Sequence, residues 1–217
     1  MDIKGIVFDL DGTLLNTLGD IRASMNRVLM AKGHPTHSLE KYHYFVGSGI
    51  YKLCEAVLPV SNRTPEEILE YIELFRADYK DNWNELTVPY PGIHELLRNL
   101  QKDGYELAVL SNKPDYFTKP MTDYFFPDIS FVYVQGNLPE LPAKPDPESA
   151  RYLLEKLSLS SDKYAFVGDS DIDIMTGINL GMLPVGVSWG FRPVEGLIET
   201  GAAHILNHAA ELLSIIR

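Results

Sequence analysis

The chain has 217 residues, 45% hydrophobic and 23% charged, which suits one large domain or a core with a smaller companion. A formal net charge of −11 excludes the clustered-basic kind of nucleic-acid binding, yet leaves room for a small anion at a pocket made locally positive. No apolar run approaches the roughly 20 residues that span a bilayer, so no membrane partner is expected, and the single cysteine, Cys54, excludes an internal disulfide and fits a reducing cytoplasm.

Met1-Asp2-Ile3-Lys4 leads straight into an apolar run, so no signal peptide is expected. That run, Ile6-Val7-Phe8, reads as a buried strand, followed by Asp9-Leu10-Asp11-Gly12-Thr13. Two carboxylates spaced i, i+2 at a strand end fall where open α/β sheets bind ligands, and they call for a metal or a cation to offset their charge.

From Asp20 to Trp83 the pattern is helical. One helix spans Asp20–Lys32 and stops at Gly33. Another starts at Thr64-Pro65-Glu66-Glu67, with Ile68, Ile72, Phe75 and Tyr79 on one face. Cys54 lies in an apolar stretch and reads as a packing residue.

Strand–helix alternation resumes after Pro89-Tyr90-Pro91-Gly92. Helices are expected at Ile93–Asp103, Tyr116–Tyr124, Pro147–Leu157, Ile172–Asn179 and Ala209–Ile216. Strands are expected at Glu106–Leu110, Ser130–Val134, Tyr164–Val167 and Pro184–Val187. The fold class is therefore α/β, a doubly wound parallel sheet with a Rossmann-like core and an inserted α-helical cap. The core takes residues 1–15 and 88–217 and the cap 16–87, with hinges near Leu15–Gly19 and Asn84–Pro91.

Three later segments follow predicted strands. Ser111-Asn112 offers donors to a phosphate, although Ser-Asn is also an ordinary loop start. Lys144 stands among Pro142, Pro145 and Pro147 in a stiff loop that would fix an ammonium. Asp169, Asp171 and Asp173 follow Phe166-Val167-Gly168; helix capping explains one of these acids but not three. Asp169 and Asp173 share a face suited to Mg²⁺, which prefers oxygen ligands.

Asp-x-Asp-Gly-Thr, Ser-Asn, Lys-Pro and Gly-Asp-x-x-x-Asp, in that order, resemble the four-motif series of the haloacid dehalogenase-like hydrolase superfamily over essentially the whole chain. The resemblance implies a nucleophile, Asp9, which forms an aspartyl-phosphate, and an acid and base, Asp11. It implies Mg²⁺ held by Asp9, the backbone carbonyl of Asp11, and Asp169, with Asp173 as ligand or support, and a phosphoryl group held by Thr13, Ser111, Asn112 and Lys144. An acid at position 11 points to phosphate esters rather than to dehalogenation.

Phe45-Val46-Gly47-Ser48-Gly49 and Val187-Ser188-Trp189-Gly190 are similar to the bacterial phosphoglycolate phosphatase group. The implied substrate is a small phosphorylated metabolite, with 2-phosphoglycolate first, for a monomer or weak dimer. His43, Gly47, Ser48 and Lys52 are the cap residues expected near it, and Trp189 either lines the site mouth or packs. Three other readings stay open: a β-phosphoglucomutase-like mutase, an inorganic pyrophosphatase, and a non-catalytic phospholigand sensor. The mutase needs a cap cation, and the cap loop has Lys52 but no arginine before Arg63. The sensor commonly loses the nucleophile, which is present here.

Overall fold

A computed structural model describes residues 3–216; Met1 and Asp2, read as entering the first strand, lie outside the described residues. Strand β1 (Gly5–Phe8) leads to a short β2 (Leu15–Asn16) and then to four helices, α1 (Leu18–Ala31), α2 (Leu39–Phe45), α3 (Ile50–Val57) and α4 (Pro65–Asn82). The chain returns through β3 (Val88–Pro89), α5 (Ile93–Lys102), β4 (Glu106–Pro114), α6 (Asp115–Phe125) and β5 (Tyr133–Asn137). It finishes with α7 (Arg151–Leu154), β6 (Tyr164–Gly168), α8 (Asp171–Asn179), β7 (Leu183–Val187), α9 (Val194–Thr200), β8 (His204–Leu206) and α10 (Leu212–Ile216).

Six strands form one sheet in the order β5-β4-β1-β6-β7-β8, and every pairing in it is parallel. A parallel sheet is buried on both faces, and β1 shows how the sequence meets that demand. Val7 packs with Ala108, Leu110 and Phe166 on one side, while Ile6 and Phe8 join the larger apolar cluster on the other. The chain turns one way from β1 to β4 and β5 and the other way from β6 to β8. The carboxyl end of β1 is therefore a topological switch point, where such sheets bind ligands.

The helical insertion packs as its sequence pattern demands. Thr64 caps α4 through a reciprocal pair: Glu67 N–H donates to Thr64 Oγ1 at 3.2 Å, and Thr64 N–H to Glu67 Oε2 at 3.1 Å. Ile68, Ile72, Phe75 and Tyr79 are all buried, and α1 packs against α4 with Arg27 gripping Asp78 through both carboxylate oxygens. Cys54 is fully buried, and burial pushes its thiol up to about 12, consistent with packing.

The two passages between sheet and insertion are tied to each other. β2 pairs antiparallel with β3. Asp20, 1% exposed, accepts from the backbone N–H groups of Leu86 and Thr87 and from the Thr87 hydroxyl, at 2.7–3.0 Å. Replacing Asp20 by Ala strands these donors, and hydrogen bonds to a charged group contribute about 1.5–3 kcal/mol each. Urea denaturation of Asp20→Ala should show a loss of roughly 3 kcal/mol or more, less than the plain sum because water reaches some of the freed donors; a loss under about 1 kcal/mol would mean the staple is dispensable.

Several expectations need correcting. β4 does not stop at Leu110 but runs to Pro114, so Ser111, Asn112 and Lys113 are strand residues and buried. The third predicted strand, expected at Ser130–Val134, lies three residues later, at Tyr133–Asn137, because Ile129 is used for packing and Tyr133 is the residue that registers with Ala108. The expected Pro147–Leu157 helix is a 3-10 turn over Pro147–Ala150 followed by α7. α9 and β8 were not expected.

Candidate active site

Asp9 sits one residue past β1, its backbone N–H donating to Val167 O on β6 at 2.9 Å. That bond fixes it beside the end of β6, where Asp169 follows Gly168. Oxygens of Asp9, Asp169 and Asp173 all lie within 4.8 Å of one another, and the three residues are buried. Lys144 reaches into this group. Its ammonium donates to Asp9 Oδ1 at 2.9 Å, Asp173 Oδ1 at 2.7 Å and Leu110 O at 2.9 Å, so its three protons are all engaged.

Asp173 closes a capping box at the start of α8, taking Ser170 N–H at 3.1 Å and Ser170 Oγ–H at 2.6 Å on its other oxygen. The cap of this helix is therefore Ser170, not Asp169 or Asp171, and Asp171 is exposed. Asp169 is gripped by backbone: Phe191 N–H donates to Oδ2 at 2.7 Å, and Thr13 Oγ1 lies 3.4 Å from Oδ1. Glycine is required around it. A Cβ on Gly12, whose φ is +89°, would come within 2.4 Å of Asp169 Oδ2, and one on Gly190 within 2.1 Å of Asp169 Cβ.

The electrostatics follow from three buried acids facing one ammonium. Burial above all pushes the Asp9 carboxyl up to about 6, against the pull of Lys144, and Asp173 and Asp11 add to the rise. Asp169 is raised well above the usual range by burial, then by Asp173 and Asp9. Burial works against the Lys144 ammonium, but Asp173 and Asp9 outweigh it and hold it up at about 12. A cluster of oxygen donors with surplus negative charge fits a hard divalent cation such as Mg²⁺.

Asp11 is not part of this carboxylate trio. Its side chain faces Lys113, whose ammonium lies 3.2 Å from both carboxylate oxygens and 3.1 Å from the hydroxyl of Tyr79 on α4. Burial opposes the charge on Lys113, but Asp11 and Tyr79 hold its pKa above the ordinary lysine value. Lys113 was overlooked in the sequence because it follows Ser-Asn, a loop-like pair. The usable signal was that a β-strand continuing through it would bury a lysine, which demands a partner.

Other predicted residues are placed differently from expectation. Asn112 is not free to hold phosphate: its amide donates to Gly47 O at 3.1 Å and Lys144 O at 3.2 Å, and its oxygen accepts from Lys144 N–H at 2.7 Å. It braces the Lys144 loop and the α2–α3 turn. Thr13 turns its hydroxyl toward Asp169, and its carbonyl accepts from Trp189 Nε1 at 3.1 Å, so Trp189 supports the motif from behind. Ser111 does line the pocket beside Asp9.

Of the four residues expected from the insertion, Gly47 lines that pocket, with Gly49 and Ile50. Ser48 is exposed, Lys52 pairs with Glu55 in solvent, and His43 packs edge-on against Phe191 in a separate groove. Lys52 is engaged by Glu55 on its own helix, and His43 by a ring of the sheet domain. Arg192, from the loop after β7, reaches across to Val46 O at 2.8 Å, a contact between core and insertion that sequence spacing does not announce.

The pattern of the haloacid dehalogenase-like hydrolases matches residues 6–187, which include the carboxylates and both lysines of the site. The chain belongs to that family. It is 32% identical over 199 residues to the phosphoglycolate phosphatase of Pseudomonas putida strain KT2440, covering 88% of this chain and 72% of that protein. It is 30% identical over 220 residues to the phosphoglycolate phosphatase of Vibrio parahaemolyticus, covering 99% and 96%. Among solved structures it superposes on a predicted phosphoglycolate phosphatase from Haemophilus somnus 129PT with a TM-score of 0.90, at 30% identity, covering 100% and 99% of the two chains. The family and these relatives make it a phosphoric monoester hydrolase with the Rossmann-like core expected of its sequence.

Proposed function

We propose that this haloacid dehalogenase-like hydrolase is a Mg²⁺-dependent phosphatase of small phosphomonoesters, with 2-phosphoglycolate first among them, acting through an aspartyl-phosphate on Asp9. The observation that carries the reading is the Asp9–Lys144–Asp173 group beside Asp169, opening onto a pocket that also holds Asp11. The insertion side of that pocket is apolar, with Val46, Ile50, Leu53 and Phe75. No arginine lines it among the described residues, which weighs against the mutase reading.

Asp9 attacks phosphorus, splitting one hard displacement into two steps. Asp11, steadied by Lys113, gives its proton to the leaving oxygen and takes one from the water that follows. Lys144 balances the carboxylates and meets charge on the transferring group, and the Ser111 hydroxyl donates to it. Mg²⁺, held by Asp9, Asp169 and the backbone carbonyl of Asp11, would neutralise phosphoryl oxygens so that an anionic nucleophile can approach. Asp173, both of whose oxygens already accept hydrogen bonds, stations Lys144. Residues 16–87 form a cap over the site, which would shut out bulk water.

The test is phosphate release from 2-phosphoglycolate, ethyl phosphate, pyrophosphate, hexose phosphates and nucleotides, with EDTA and with Mg²⁺. Release should fall on the order of 100-fold or more in EDTA, return with Mg²⁺, and favour the smallest substrates. A folded protein that releases phosphate from none of them contradicts the reading.

A further inference from the structure

Lys113 and Tyr79 have a chemistry that steadying Asp11 does not exhaust. Lys144 is bonded at 2.7–2.9 Å by all three of its protons. The contacts of Lys113, at 3.1–3.2 Å, are long for a charged group, for which 2.7–2.9 Å is usual. One ammonium is thus shared loosely between Asp11 and Tyr79 on the wall of the pocket.

Tyr79 is fully buried, and its oxygen already accepts from Lys113. The acceptor for its own proton is Met121 Sδ at 4.0 Å, a weak one for which a ligand oxygen in the pocket would be a stronger replacement. The third feature is α3. Its N-cap Gly49 and first residue Ile50 line the same pocket, and no side chain caps the helix, so the positive end of its dipole borders the pocket. An ammonium, a hydroxyl donor and a helix N-terminus border the pocket that Asp9 and Asp11 also line, and together they describe an anion subsite next to the phosphoryl site.

We infer that Lys113, with Tyr79 and the start of α3, selects substrates carrying a second anionic group close to the phosphoryl group, and that Lys113 is the specificity-determining residue. This deepens the proposed function and rests on it. The second anion is a carboxylate in 2-phosphoglycolate and a phosphoryl group in pyrophosphate. The chemistry is shared, and the substrate arms separate the two.

The experiment compares kcat and KM for 2-phosphoglycolate, pyrophosphate and ethyl phosphate, which lacks a second charge, in wild type, Lys113→Met, Lys113→Arg and Tyr79→Phe. Wild type should prefer at least one doubly anionic substrate over ethyl phosphate by about tenfold or more in kcat/KM. Lys113→Met should collapse that ratio toward unity, mainly through KM, with Lys113→Arg recovering part of it and Tyr79→Phe lowering it a few-fold, roughly. Wild type that hydrolyses ethyl phosphate equally well overturns the subsite alone, even if the lysine variants do not fold. Equal losses on all three substrates in Lys113→Met also overturn it, leaving Lys113 as support for Asp11. Wild type inert toward all three overturns the underlying hydrolase reading.

Discussion

Asp9→Asn should abolish turnover, with a loss on the order of 10⁴-fold or more in kcat, while the protein still folds. The substitution keeps size and shape but removes the attacking anion and leaves Lys144 with Asp173 as its only carboxylate partner. Because Asp9 shares burial with Asp169 and Asp173, removing one charge from a crowded cluster should not weaken the fold. Phosphate release paired with a urea melt checks both halves. Turnover within about tenfold of wild type would assign the chemistry to another group.

Lys144→Met is the second large effect, and it acts on stability as well as rate. Lys144 is 5% exposed and, among the described residues, is the one ammonium bonded within the trio of Asp9, Asp169 and Asp173. Breaking a buried ion pair by removing one partner typically costs about 3–5 kcal/mol, because the remaining charge stays buried without compensation. In EDTA the variant should lose about that much in a urea melt. Added Mg²⁺ should return part of the loss by binding the folded state alone. Activity should fall on the order of 10³-fold even with Mg²⁺, since charge on the transferring group loses a fixed partner. A variant as stable as wild type in EDTA would show that the trio does not need this cation.

Asp9 and Asp169 were legible in the sequence for one physical reason: each follows a short apolar run that can only be a buried strand, so each falls at a sheet edge. Lys144 was legible because prolines on both sides fix its loop. Lys113 was not, since its role depends on β4 continuing past Leu110 and on a tyrosine 34 residues earlier, which the helical pattern shows only as part of an apolar face. Asn112 read as a ligand donor because its type suits one; that its amide is consumed by Gly47 and Lys144 is tertiary information. β8 went unseen because His204-Ile205-Leu206 is too short to show a period. α9 could have been found, with Pro193 before its first residue and Gly201, at φ +108°, ending it.

The most direct test of the account is to trap the covalent intermediate. The enzyme would be acid-quenched during turnover of 2-phosphoglycolate with Mg²⁺, reduced with borohydride, digested and examined by mass spectrometry. Reduction of an aspartyl-phosphate leaves homoserine, and the account predicts it at position 9 in wild type and nowhere in Asp9→Asn. Homoserine at another aspartate, or none at all from enzyme that is turning over, would contradict the assignment of Asp9 as the residue that takes the phosphoryl group.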